Sequence, residues 1–136
     1  MTRGKGTYIV LLYLPRLERV DPGRLGSFDF PPGYYCYAGS AQGPGGLEAR
    51  LRRHVISPAT RHWHIDYLRP LCDVVDVRAW EEPERLECSW ASRLSTMPGA
   101  SIPVPGFGSS DCRCRSHLIH FQERPDLSAF GSTADW

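Results

Sequence analysis

The stretch GTYIVLLYL at residues 6–14 decides the fold. It is a continuous run of apolar and β-forming residues, which is typical of a strand buried on both faces of a sheet. Pro15 ends the run well short of the roughly 20 apolar residues that a membrane-spanning helix needs. A second stretch, GYYCYAG at residues 33–39, is aromatic and bounded by glycines, and it predicts a second strand. We expect the two strands to pair, with residues 6–14 at the centre of the sheet.

Helical spacing replaces the strand pattern further along the chain. Leu47, Leu51 and Val55 recur in LEARLRRHV and predict the first helix, and HWHIDYL at residues 62–68 predicts a short second helix ending before Pro70. The remaining segments predict a strand, a helix and a last strand, namely CDVVDVRAW at 72–80, a helix from Pro83 and a strand at 116–121. The order of elements predicts an α/β (α+β) fold with a small, largely antiparallel central sheet flanked by helices.

Length and composition predict one folded domain over residues 1–136, with a peripheral tail from about residue 123. The chain is 41% hydrophobic and 23% charged, which excludes a disordered class. Its five cysteines are irregularly spaced and do not resemble a disulfide framework, so we expect a cytoplasmic protein. No apolar run is long enough to cross a bilayer, so we expect no membrane partner. The net charge of +1 neither requires nor excludes a nucleic-acid partner.

Five side chains have the chemistry that phosphodiester hydrolysis needs: a base, an oriented water and positive charge near the phosphorus oxygens. They are Tyr8, Tyr37, Arg50, His54 and Glu87. Arg50 and His54 lie four residues apart, hence on one helix face. Each also has a structural interpretation, because a helical Arg/His pair is commonly a solvated face and a strand tyrosine usually packs its ring. Composition and spacing alone leave both interpretations open.

These residues resemble the GIY-YIG nuclease superfamily. Residues 6–8 and 37–39 match its two tyrosine elements, with Thr7 and Ala38 where the pattern has isoleucine. The helix LEARLRRH follows where that family places its catalytic arginine, and Glu87 falls where it places a metal-binding glutamate. The chain is most similar to a little-characterised branch, some members of which are fused to endonuclease III. That branch shows GTY, YxGSA, GPGG, HWHIDYL and GxSDCxCxSHL, so the similarity covers residues 6–121.

The resemblance implies a divalent-metal-dependent endonuclease that acts on DNA rather than RNA, for example on repair or recombination intermediates. Tyr8 would be the general base with a lowered pKa, Tyr37 or His54 would orient the water, and Arg50 would neutralise phosphorane charge. Glu87 would hold Mg²⁺ or Mn²⁺. A chain this small suggests a homodimer or a repair-protein partner. We expect further substrate contacts from Gly39, Ser40, Gly45, Gly46, Arg53, His62, His64 and Asp66.

A Cys112-x-Cys114-x-x-His117 motif predicts a second metal site. Three soft ligands within six residues suit zinc, with a fourth from Asp111, His120 or Cys72. The alternative is that the thiols cap a turn or pack beneath the sheet.

Two other functions remain open. One is a nucleic-acid-binding module with weak or absent catalysis, and the other is a zinc-stabilised interaction domain. The complete catalytic set favours the enzyme, because a pure binder gains nothing from a Glu87 carboxylate that repels phosphate.

Overall fold

The computed structural model describes residues 4–43, 45–55, 63–108 and 114–133. Its strands are β1 (Gly6–Leu14), β2 (Glu18–Val20), β3 (Phe28–Phe30), β4 (Gly33–Ala41), β5 (Asp73–Glu81), β6 (Ala100–Ser101), β7 (Leu118–Phe121) and β8 (Ser132–Thr133). Its helices are α1 (Gly46–Val55), α2 (Ile65–Leu68) and α3 (Glu87–Ser95), with 3₁₀ turns at Gly23–Leu25 and Arg69–Leu71. Six strands form an antiparallel sheet in the order β6-β7-β4-β1-β5-β8, and β2 and β3 form a separate hairpin. The predicted α+β class is confirmed.

Strand β1 lies at the centre of the sheet, as the sequence predicts. It pairs with β4 on one edge and with β5 on the other, and eight of its nine residues are buried. Alternate side chains of a strand point to opposite faces of a sheet. Tyr8 and Val10 accordingly pack with apolar residues of α1 and α2, whereas Ile9 and Leu11 pack with those of α3. The sheet therefore separates α1 and α2 from α3.

Two helices begin later than the sequence predicts. Helix α3 starts at Glu87 rather than near Pro83, because the Leu86 backbone N–H donates to the hydroxyl of buried Thr7 at 3.1 Å and fixes the first turn there. Helix α2 covers only Ile65–Leu68, and a 3₁₀ turn then carries the chain through Pro70. The predicted first residue of that helix, His62, lies outside the described residues.

The segment after residue 123 differs from the expected peripheral tail. Leu127 and Phe130 are buried in the apolar cluster of α3, and β8 pairs with β5. The Arg78 guanidinium donates to the carbonyls of Phe130 at 3.1 Å and Gly131 at 3.0 Å. These contacts tie the segment to the sheet, because the apolar face of α3 would otherwise remain exposed. No helix in the described ranges is long and apolar enough to cross a bilayer.

Candidate active site

A cleft of about 470 Å³ opens where β4 extends beyond the end of β7. Strand β7 pairs with β4 only over Tyr34–Tyr37, so among the described residues Gly39–Ala41 have a strand neighbour, β1, on one edge only. The walls of this main cleft include four of the predicted catalytic residues, Tyr8, Tyr37, Arg50 and Glu87, together with the predicted contacts Gly39 and Ser40. Residues 42 and 43, Trp63, Arg85, Gly108 and His117 also line it.

The fifth predicted catalytic residue, His54, lies behind Tyr8. Its Nε2 atom is 2.7 Å from the Tyr8 hydroxyl, and both side chains are almost fully buried. Burial lowers the pKa of His54 to about 3, the positive charges of Arg50, Arg53 and Arg69 act in the same direction, and Asp66 opposes them. His54 is therefore a neutral imidazole at physiological pH, in hydrogen-bond contact with the Tyr8 hydroxyl.

The pKa of Tyr8 is shifted in the direction opposite to the one expected. Burial raises it well above its ordinary value, and the nearby Arg50 guanidinium lowers it only in part, by charge and by a hydrogen bond. The pKa of Tyr37 is also raised, first by burial and then by its proximity to Tyr8. In the chain alone, both groups are thus protonated phenols at neutral pH.

Gly39 is required by the position of Tyr8. The two residues are partners in the β1–β4 register, and a Cβ atom on Gly39 would lie 2.3 Å from the Tyr8 hydroxyl oxygen. Any side chain here would displace the phenol. The absence of a side chain at Gly39, the glycine of the YAG element, therefore leaves room for the Tyr8 ring at the main cleft.

Trp63 forms a platform for two arginines. The guanidinium carbons of Arg50 and Arg53 lie 4.3 and 4.4 Å from its ring centroid, within cation–π range. Arg50 also donates to the Ser40 carbonyl at 3.2 Å. The buried Asp66 carboxylate accepts from Arg53 at 2.7 Å and from the Trp63 backbone N–H at 2.8 Å. Asp66 thus positions the platform, and the platform holds Arg50 at the main cleft.

Glu87 presents a carboxylate at the N-terminus of α3. Its Oε2 atom is buried and has no hydrogen-bond partner among the described residues. A buried carboxylate oxygen without a donor is unusual, because its desolvation is not compensated. The position fits a group that receives a cation or a protonated ligand.

The other predicted substrate contacts are placed differently. His64 accepts the Gly108 backbone N–H at 2.8 Å and does not line the main cleft. Gly45 and Gly46 have φ values of 83° and 58° where the chain turns into α1, so they serve the backbone turn. Arg53 contacts the Trp63 ring, and Trp63 in turn lines the main cleft. His62 lies outside the described residues.

A cysteine and histidine cluster borders the main cleft. The ligand atoms of Cys88, Cys114 and His117 lie within 4.8 Å of one another, and this group could hold a metal ion. Cys88 comes from α3 and was not predicted as a ligand, whereas the predicted Cys112 and Asp111 lie outside the described residues. The other two candidates lie elsewhere: Cys72 belongs to the apolar cluster of α1, and His120 Nε2 lies 3.0 Å from the Pro32 carbonyl.

Three residues of the site were missed or interpreted differently from sequence. The sequence prediction gives no functional role to Trp63 or Cys88 and treats Thr7 only as a departure from the family pattern. Only Cys88 carried a local signal, because it directly follows Glu87. Trp63 contacts Arg50, which lies 13 positions away, and Thr7 contacts Leu86, which lies 79 positions away. Neither contact has a counterpart in the local pattern.

Together, the antiparallel sheet, the helices on both of its faces and the polar cleft at its end define a small α+β domain. The chain belongs to the family described as domain of unknown function DUF123, whose model matches residues 7–134. No curated protein and no solved structure gives a significant match to the chain.

Proposed function

We propose that the chain is an endonuclease that hydrolyses phosphodiester bonds in DNA with a divalent metal ion. One observation carries the proposal: Tyr8, Tyr37, Arg50 and Glu87 come from four separate elements and line one cleft. The GIY-YIG resemblance of the sequence assigns catalytic roles to these same residues. Side chains from four elements that line one cleft can act together on a single bound phosphodiester.

Arg50 would bind the phosphate undergoing attack. Its guanidinium is held by the Ser40 carbonyl and the Trp63 ring, so its orientation is set before substrate arrives. A cation fixed in this way stabilises the negative charge that develops on the phosphorus oxygens without a cost of reorganisation.

Tyr8 and His54 would handle the proton of the attacking water as a pair. Because the pKa of Tyr8 is raised, its phenolate form is disfavoured at neutral pH. The proposal therefore uses a proton relay through the 2.7 Å contact between Tyr8 and His54. The Tyr8 oxygen takes a proton from water while its own proton passes to Nε2 of His54. The resulting hydroxide bonds to phosphorus as the bond to the leaving oxygen breaks. The departing alkoxide takes a proton from solvent, and His54 then releases its extra proton to solvent through Tyr8. The negative charge of a bound phosphodiester raises the pKa of His54 and supports the transfer.

Glu87 would hold the divalent ion. Mg²⁺ is commonly bound by one or two carboxylates plus waters and substrate phosphates, and the Oε2 atom without a described donor suits this arrangement. When bound, the ion supplies charge stabilisation at the leaving oxygen.

The test is cleavage of labelled DNA and RNA structures with Mg²⁺ or Mn²⁺. We expect native protein to cut DNA, and Arg50→Ala and Glu87→Gln each to lower turnover by about 100-fold or more. Two exposed positions give matched controls, Arg52→Ala on the same helix and Glu84→Gln just before α3, and both should keep native turnover. Cleavage that survives in Glu87→Gln contradicts the metal assignment.

The same experiment tests the binding-module alternative. If native protein cuts nothing but binds a DNA that Arg50→Ala does not bind, the main cleft is a binding site without catalysis. The nuclease proposal then fails.

A further inference from the structure

We propose that Cys88, Cys114 and His117 bind a zinc ion that joins the first turn of α3 to the segment preceding β7. The geometry of the three side chains carries the inference. In a tetrahedral site with Zn–S of about 2.3 Å and Zn–N of about 2.0 to 2.1 Å, sulfur and nitrogen ligands lie about 3.6 Å apart. The distance from Cys88 Sγ to His117 Nε2 is 3.6 Å.

The third ligand requires little movement. All ligand atoms of the cluster lie within 4.8 Å of one another, so Cys114 would shift by at most about 1 Å to reach tetrahedral spacing. Changes of side-chain torsion can supply a shift of that size. The three side chains then provide three of the four ligands of a tetrahedral ion.

The donor set selects the metal. Two sulfurs and an imidazole nitrogen are soft or borderline ligands, which favour zinc over the oxygen-seeking Mg²⁺ and Ca²⁺. The Glu87 carboxylate is a hard ligand and is not part of the cluster. If Glu87 holds a divalent ion as in the proposed function, the adjacent residues Glu87 and Cys88 would bind two different metals in two different environments.

The position of the cluster indicates what the ion does. His117 lines the main cleft, whereas Cys88 and Cys114 line a second cleft of about 420 Å³, which gives a metal a path of entry. Cys88 and His117 are 29 residues apart in sequence and belong to different elements. An ion between them fixes the start of α3, and with it the position of Glu87.

The first experiment measures zinc bound to the chain of residues 1–136 by native mass spectrometry and by competition with a chelator. We expect one zinc per native chain and an affinity at least about 10-fold weaker in Cys88→Ser, Cys114→Ser and His117→Asn. Cys72→Ala removes a thiol from the apolar cluster of α1 and should keep full affinity. Native affinity in Cys88→Ser overturns the proposal, because only the tertiary structure brings Cys88 to the site.

The second experiment uses native protein, so its result does not depend on whether the variants fold. Cobalt(II) added to native protein should give the thiolate charge-transfer band and the visible bands of a tetrahedral site. A cobalt spectrum without a thiolate band overturns the proposal. Glu87→Gln separates the two sites: it should bind zinc as native protein does while losing cleavage. If no protein cuts DNA but zinc binding follows the three ligands, only the nuclease proposal fails.

Discussion

At the residue scale, the central feature is the contact between Tyr8 and His54. In the chain without bound substrate, burial and three nearby arginines disfavour the protonated form of His54. The same burial keeps Tyr8 protonated. The Tyr8 phenol is therefore protonated and the His54 imidazole is neutral at rest, with the two groups in hydrogen-bond contact.

The depressed pKa of His54 predicts a loss of stability in mild acid. The folded pKa of about 3 lies below the ordinary value of 6.5, so as the pH falls below 6.5 the unfolded chain binds a proton that the folded chain does not. The free energy of unfolding should then fall by up to about 1.4 kcal/mol per pH unit from this residue. Urea unfolding at pH 7 and pH 5 measures it.

His54→Gln is the comparison for this prediction, because glutamine does not titrate and can still accept from Tyr8. The native protein should lose about 2 kcal/mol more than the variant between pH 7 and pH 5. Equal losses in the two proteins would mean that His54 is protonated in the folded state.

At the scale of elements, the ends of the helices are fixed by side chains distant in sequence. The Thr7 hydroxyl on β1 accepts the Leu86 N–H at the start of α3. At the other side of the sheet, the Arg69 guanidinium donates to the His54 and Val55 carbonyls at the end of α1. Both contacts satisfy groups that a helix end leaves without an internal partner. Each lies next to a residue of the candidate site.

Thr7→Val should loosen the first turn of α3. The change keeps the shape of the side chain but leaves the Leu86 N–H without its acceptor, at a cost of about 1 kcal/mol. Amide hydrogen exchange should become about fivefold faster at residues 86–90. The matched control is Thr96→Val at the exposed end of the same helix, where the hydroxyl donates to the Arg93 carbonyl. If the amides of residues 86–90 exchange at the same rate in both variants, the Thr7 hydroxyl does not fix the start of α3.

At the scale of the whole molecule, the sheet divides the core into two apolar clusters. One includes α1 and α2, the other α3 and the segment from Leu127 to Phe130. The main cleft lies at the end of the sheet, where Arg50 from one layer and Glu87 from the other approach the same space. Both layers must therefore pack correctly for the site to form.

Phe130→Ala tests whether the C-terminal segment belongs to the core. Phe130 is 2% exposed, and its ring lies 5.6 Å from that of Trp90. Removing it should lower the free energy of unfolding by about 3 kcal/mol or more. Leu17→Ala, at a position 60% exposed, should change it by no more than about 0.5 kcal/mol. A small effect for Phe130→Ala, measured by urea unfolding, would restore the expectation of a peripheral tail.

The sequence by itself determined the elements that local pattern controls. Strand β1 has the predicted bounds of residues 6–14, α1 follows the spacing of Leu47, Leu51 and Val55, and β1 pairs with β4 as expected. Periodicity predicts such elements because it records which side of a strand or helix faces the core. The order of the motifs also selected the four residues that line the main cleft.

Only the tertiary structure decided how the site is arranged. It joined Cys88 to Cys114 and His117, placed Trp63 beneath Arg50, and used Thr7 to fix the start of α3. It also reversed the expected direction of the Tyr8 pKa, because burial outweighs the charge of Arg50. These features depend on distances between residues remote in sequence and on exclusion of water. Local spacing encodes neither these distances nor the exclusion of water, because both are set only when the helices pack against the two faces of the sheet.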